Sequence, residues 1–110
     1  MLVLHNSGRI NRYTLFLELL RLGQVCLAFI ANDYMAVPAM DLSRFGLGLR
    51  VPQDVSVIGF DDTVIASLPT YNLTTVRQPV SAMEDAALRL LFERIENRDT
   101  EPAHLVLRPL

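Results

Sequence analysis

Apolar residues follow two rhythms along this chain. In RYTLFLELLRL, residues 12–22, the side chains Tyr13, Phe16, Leu17 and Leu20 return at helical spacing and line one face. Gly23 follows as a stop signal. In VCLAFIA, residues 25–31, no polar residue breaks the run, and its length suits a strand buried on both faces. Asn32-Asp33 ends it. Residues 34–45 predict a helix whose start depends on Pro38. With Asp33 as N-cap, the proline ring would meet the carbonyl of Tyr34. A start near Val37 makes Pro38 the first helical residue and removes that clash. Gly46 and Gly48 break the helix, and a second apolar strand, VSVIGF at 55–60, ends abruptly in Asp61-Asp62.

Strand, helix and strand over residues 25–60 make the pattern of a parallel βαβ unit. A right-handed crossover places both strands parallel in one sheet, so both carboxyl ends share one edge. Asn32-Asp33 and Asp61-Asp62 are the polar pairs at that edge. Open parallel sheets bind ligands in the crevice outside the carboxyl ends of their strands. The fold class is therefore α/β, with a Rossmann-like parallel sheet. Residues 63–79 read as a loop holding a short extended segment, LTTV. VSAMEDAALRLLFERIEN, residues 80–97, is the strongest helix, with Ser81 and Glu84 as a capping box. Met83, Ala87, Leu91 and Ile95 give it an apolar stripe. HLVLRPL, residues 104–110, predicts a final short strand.

Composition changes this picture in a few places. A chain of 110 residues suits one small domain or part of a larger one. The hydrophobic share of 51 % and a mean hydropathy of +0.29 suggest faces meant to be covered by further structure. The net charge is −2 and the ten basic residues, all arginine, are scattered, so no electrostatic footprint for nucleic acid or an anionic membrane stands out. A single cysteine, Cys26, excludes an internal disulfide and reads as a buried structural thiol. His5 and His104 lack metal-ligand spacing, and no cofactor is expected. GLGLR follows a helix rather than a strand, which removes it as a nucleotide loop. With no nucleophile–base pair in view, the chain reads as a non-enzyme. No export signal or run of about 20 apolar residues occurs, and a cytoplasmic protein is expected.

ANDYMA (31–36), GLRVPQDVSVIGFDD (48–62), LTTVRQP (73–79) and the helix with Met83, Ala87 and Leu91 occur in an order and spacing that resemble one family. It is the lactose/galactose-repressor family of bacterial transcription regulators, matched over residues 27 to about 108 in the carboxyl-terminal part of the effector-binding region. The resemblance implies a periplasmic-binding-protein-like type I fold: two Rossmann-like subdomains, three hinge crossings, and a cleft for a small effector. It divides the chain into a poorly matched helical segment at 1–24 and a partial effector domain at 25–110. Within the latter, 25–72 would belong to the carboxyl-terminal subdomain, 73–79 to a hinge crossing and 80–110 to the other subdomain.

Carried over by position, Asn32 and Asp61 match effector-contacting residues, and Val80 and Met83 match positions beside the hinge. A carboxylate accepts and an amide both donates and accepts, so the pair suits a sugar or a nucleobase edge. Asp61 and Asn32 also read as turn caps, and Asp62 reads as the side chain that caps the turn after the strand. Val37, Met40 and Leu68 match surfaces that pair subunits in family dimers, and they equally suit ordinary core packing. The family usually has glycine where Pro38 stands. Operator DNA would be reached only through an amino-terminal domain absent from these residues. Two other readings remain open: a sugar-binding transport component of the same fold, and a fragment without activity of its own. In a fragment, the stripe on the last helix would face water or another chain.

Overall fold

The computed structural model describes residues 2–4 and 12–110. His5 lies outside the described residues. Contacts divide the chain into two compact units, one ending at Val76 and the other running from Arg77 to Leu110.

The first unit is a four-stranded sheet in the order β1 (Leu2–Leu4), β2 (Leu27–Ile30), β3 (Ser56–Phe60) and β4 (Thr74–Val76). All neighbours are parallel. β2 and β3 are the two apolar runs of the sequence, and β4 is the extended segment in LTTV. β1 was not foreseen, because three residues are too few to reveal a period. The register pairs Ala28 with Val57 and Phe29 with Ile58.

Helix α1 (Arg12–Arg21) forms as its spacing predicts. Gly23, at φ 68°, ends it by a Schellman motif: Gly23 N–H donates to Leu20 O and Gln24 N–H to Leu19 O, each at 3.0 Å. Phe16 and Leu20 from α1 join Ala28, Ile30, Val57, Met40 and their neighbours in one core.

Helix α2 (Asp33–Asp41) corrects the expected start at Val37. Asn32 is its N-cap, with Oδ1 accepting from Met35 N at 2.9 Å, and Pro38 lies inside the helix. A mid-helix proline costs about 3 kcal/mol. Here the cap and the burial of Ala36, Val37, Ala39 and Met40 oppose that cost. The helix widens at once into a π turn (Leu42–Gly46), where the buried Ser43 hydroxyl donates to Ala39 O at 2.7 Å.

Among the described residues, one face of the sheet is fully covered and the other only partly. Ala28, Ile30, Val57 and Gly59 are buried, whereas Leu27, Phe29, Ile58 and Phe60 are half-buried. The expectation of a strand buried on both faces is therefore overturned, because helices of this unit pack on one side. The same alternation corrects Cys26: Val25 turns into the core and Cys26 is exposed.

Between the π turn and β3, Arg50 closes the VPQD turn on Asp54. The amide donates to Oδ2 at 2.8 Å, Nε to Oδ2 at 3.0 Å and the guanidinium NH2 to Oδ1 at 2.8 Å. These bonds from the Arg50 side chain and backbone hold the Asp54 carboxyl down to about 2. A depressed carboxyl stabilises the fold above its unfolded value near ~3.9, and that contribution fades as pH falls through 2. An NMR pH titration should give an Asp54 midpoint near 2, and Arg50→Ala should raise it toward the ordinary carboxylate range, with the amide of residue 50 still holding part of the depression. A midpoint near 4 in the unmodified protein would exclude this bridge.

In the second unit, α3 (Val80–Glu96) is the helix expected there. Its capping box is not formed: Pro79 is the N-cap with no side-chain hydrogen bond, and Ser81 is already inside the helix. None of its residues is buried, and Met83, Leu88, Leu91, Phe92 and Ile95 are all exposed. The strand predicted at 104–110 is absent. A strand needs a neighbour for its backbone groups, and this unit holds no sheet. Its last residue returns instead to the unit's start, Leu110 N–H donating to Arg77 O at 3.0 Å.

Candidate functional site

The parallel register brings the ends of β2 and β3 to one edge, and the chain leaves both through polar residues. Asn32 is half-buried there, its side-chain oxygen engaged in the α2 cap. Asp61 is half-buried at φ 110° and Asp62 at φ 55°. Positive φ at non-glycine residues costs about 1–3 kcal/mol each and persists where surrounding bonds hold it. Here Asp61 N–H donates to Val76 O at 3.0 Å and Asp62 N–H to Thr75 Oγ1 at 3.2 Å. Both clamps come from β4.

Under this loop lies the fully buried carboxylate of Asp33. Its Oδ2 accepts from Thr63 N at 2.7 Å and from Thr63 Oγ1 at 3.0 Å. Its Oδ1 accepts from Thr75 Oγ1 at 2.6 Å. The carboxylate of Asp33 thus also holds the turn after β3 through these bonds. Asp33 joins the start of α2, the loop after β3, and β4. Gly59 makes this approach possible: an added Cβ would overlap Asp33 Oδ1 and lie 3.0 Å from Leu73 Cδ2. Among the described residues no buried side-chain N or O atom lacks a partner.

Sequence reasoning missed Asp33, Thr63 and Thr75 as a group. The partners lie 30 and 42 positions from Asp33 along the chain. The available signal was VIGF itself, since glycine inside a buried strand marks the close approach of another group.

The other matched positions are on other elements. Val80 and Met83 are exposed on α3, in the second unit. Val37 and Met40 are buried in the first unit, and Leu68 is 44 % exposed. A cleft of ≈ 620 Å³ opens at the opposite sheet edge, where Leu27, Ser56 and Thr74 begin their strands, beside Arg44 and Tyr71. Tyr71 donates to Asp41 Oδ2 at 3.2 Å, and burial together with that carboxylate pushes its phenol up. The cleft's lining lacks the Asn32 and Asp61 pair. No group of three or more His, Cys, Asp or Glu side chains among the described residues could hold a metal ion. No helix among them is long and apolar enough to cross a membrane.

Residues 11–110 match a family model described as a periplasmic binding protein-like domain. The HTH-type transcriptional regulator MalR of Streptomyces coelicolor is 44 % identical over 89 residues, covering 80 % of this chain and 26 % of that protein. The HTH-type transcriptional regulator CelR of Thermobifida fusca is 42 % identical, covering 79 % of this chain and 25 % of its own length. The chain thus spans about a quarter of the curated relatives it matches. Among solved structures, a lac repressor dimer bound to operator and an anti-inducer superposes with a TM-score of 0.66. It is 30 % identical, over 80 % of this chain and 31 % of the repressor chain. A periplasmic binding protein/LacI transcriptional regulator from Alkaliphilus metalliredigens, complexed with D-xylulofuranose, gives a TM-score of 0.61 at 28 % identity. That match covers 86 % of this chain and 33 % of the other.

Proposed function

We propose, because this chain belongs to the periplasmic binding protein-like domain family, that it forms the carboxyl-terminal part of the effector-sensing region of a LacI-type bacterial transcription regulator. The observation that carries this reading is the placement of Asn32 and Asp61 at the carboxyl ends of adjacent parallel strands. That edge is where open α/β sheets take their ligands. The effector is a small polar molecule, a sugar or a nucleobase-like compound. Asp61 accepts from its hydroxyl or ring N–H groups, and Asn32 adds an amide able to donate and accept. Val80 and Met83, on α3, are candidate effector contacts by the family resemblance alone.

Residues 73–79 serve as a hinge crossing in this reading. Subunit pairing uses the surface that carries Leu68, while the buried Val37 and Met40 suit the core-packing alternative. Operator DNA is bound by a domain outside these residues, and the protein works in the cytoplasm. The naming of the relatives as transcriptional regulators supports a regulator over a transport component of the same fold.

Asp61→Ala is expected to weaken effector binding by about 1–3 kcal/mol, the cost of leaving polar partners unmatched. The change corresponds to roughly a 5- to 150-fold rise in Kd. Calorimetric titration with a panel of mono- and disaccharides and purines measures it. A ligand bound equally well by both forms would remove Asp61 from the site.

A further inference from the structure

We infer that Asp33 is a positioning residue: its buried carboxylate, acting through Thr63 and Thr75, holds Asp61 in the backbone conformation that presents it at the ligand-binding edge. The inference deepens the effector-site reading and rests on it for its functional meaning. Asp33 itself touches no ligand in this account.

Three observations combine. First, Asp61 and Asp62 both stand at positive φ, 110° and 55°, in a loop where L residues rarely settle without external restraint. Second, the loop is tied both to one buried group and to β4. Thr63, the residue after the strained pair, is fixed by two bonds to Asp33 Oδ2. Thr75 donates to Asp33 Oδ1 and, through the same oxygen, accepts from Asp62 N–H. The Thr75 hydroxyl is therefore oriented by Asp33, its proton committed to the carboxylate and its lone pair to the loop. Third, Asp61 N–H closes on Val76 O, the last residue of β4 and of the first unit. A group bound at Asp61 is thereby linked through one hydrogen bond to the strand end from which the chain enters Arg77.

The alternative role for Asp33 is bulk stability alone, and the two roles separate experimentally. Thr75→Val keeps the side-chain shape and deletes the hydroxyl that joins Asp33 to Asp62. Thr75→Ser restores it. The readout is the backbone of Asp61 and Asp62 in ¹⁵N,¹³C-labelled protein, taken from NMR couplings and shifts sensitive to the sign of φ. In Thr75→Val the two residues should move to negative φ while the Ala28 and Val57 amides keep their shifts. Thr75→Ser should return both to positive φ. Retention of positive φ in a folded but less stable Thr75→Val protein would overturn the inference. Where Thr75→Val does not fold, Thr75→Ala, which deletes the same hydroxyl bridge, is read by the same criterion. Because φ is measured without any ligand, failure of the effector reading leaves this result intact. Loss of ligand binding with φ unchanged would count against the positioning role.

Discussion

Gly59→Ala is expected to destabilise the first unit by about 2–5 kcal/mol, although it adds one methyl group to a strand. The added carbon would overlap Asp33 Oδ1 and press on Leu73 Cδ2 at 3.0 Å. Leu73 is a core side chain with little room to withdraw. Moving the carboxylate instead breaks its bonds to Thr63 and Thr75, so overpacking of about 1–3 kcal/mol and unmade buried hydrogen bonds of similar size combine. Urea denaturation followed by far-UV circular dichroism measures the loss. A change below about 0.5 kcal/mol, typical of an exposed surface position, would mean that Asp33 does not sit against Gly59.

Asp33→Ala is expected to cost about 2–4 kcal/mol for a different reason. It creates space and leaves donors without acceptors. The Thr63 amide cannot turn away as a hydroxyl can, and it bears most of the penalty. Asp33→Asn should cost less, because one side-chain oxygen remains. The two predictions are coupled in a way that tests both. In an Asp33→Ala background the atom that Gly59→Ala would strike is gone, so the second substitution should cost at least about 1 kcal/mol less than it does alone. Strict additivity in the double-mutant cycle would place the two residues out of contact.

The fold's central unit was legible because its physics is local. VCLAFIA and VSVIGF are too apolar to be loops, and the helix between them fits only a parallel crossover. The stop at Gly23 was equally readable, since a left-handed residue after an apolar-periodic run ends a helix. Other features depended on partners far along the chain or on none at all. The burial of one sheet face and not the other depends on where helices lie, and this misplaced Cys26. HLVLRPL has the composition of a strand, yet no sheet in its unit offers it an edge. Pro38 was assigned to the first helical position from its own chemistry, while the structure lets the Asn32 cap begin the helix five residues earlier than Pro38. The placement of Asn32 and Asp61 at one edge followed from strand order alone. The carboxylate beneath them did not, because Asp33, Thr63 and Thr75 meet only when α2, β3 and β4 are assembled.

The exposed stripe of α3 has the same logic at a larger scale. Leu88, Leu91, Phe92 and Ile95 repeat as a helix face that expects cover, and within the second unit they stay exposed.

The most direct test of the account is an NMR titration of the ¹⁵N-labelled protein with the sugar and purine panel, read residue by residue. The account predicts shifts concentrated at Asn32, Asp61 and Asp62, with Leu27, Ser56 and Tyr71 at the opposite edge unchanged. Shifts confined to that opposite edge, or none with any member of the panel, would contradict it.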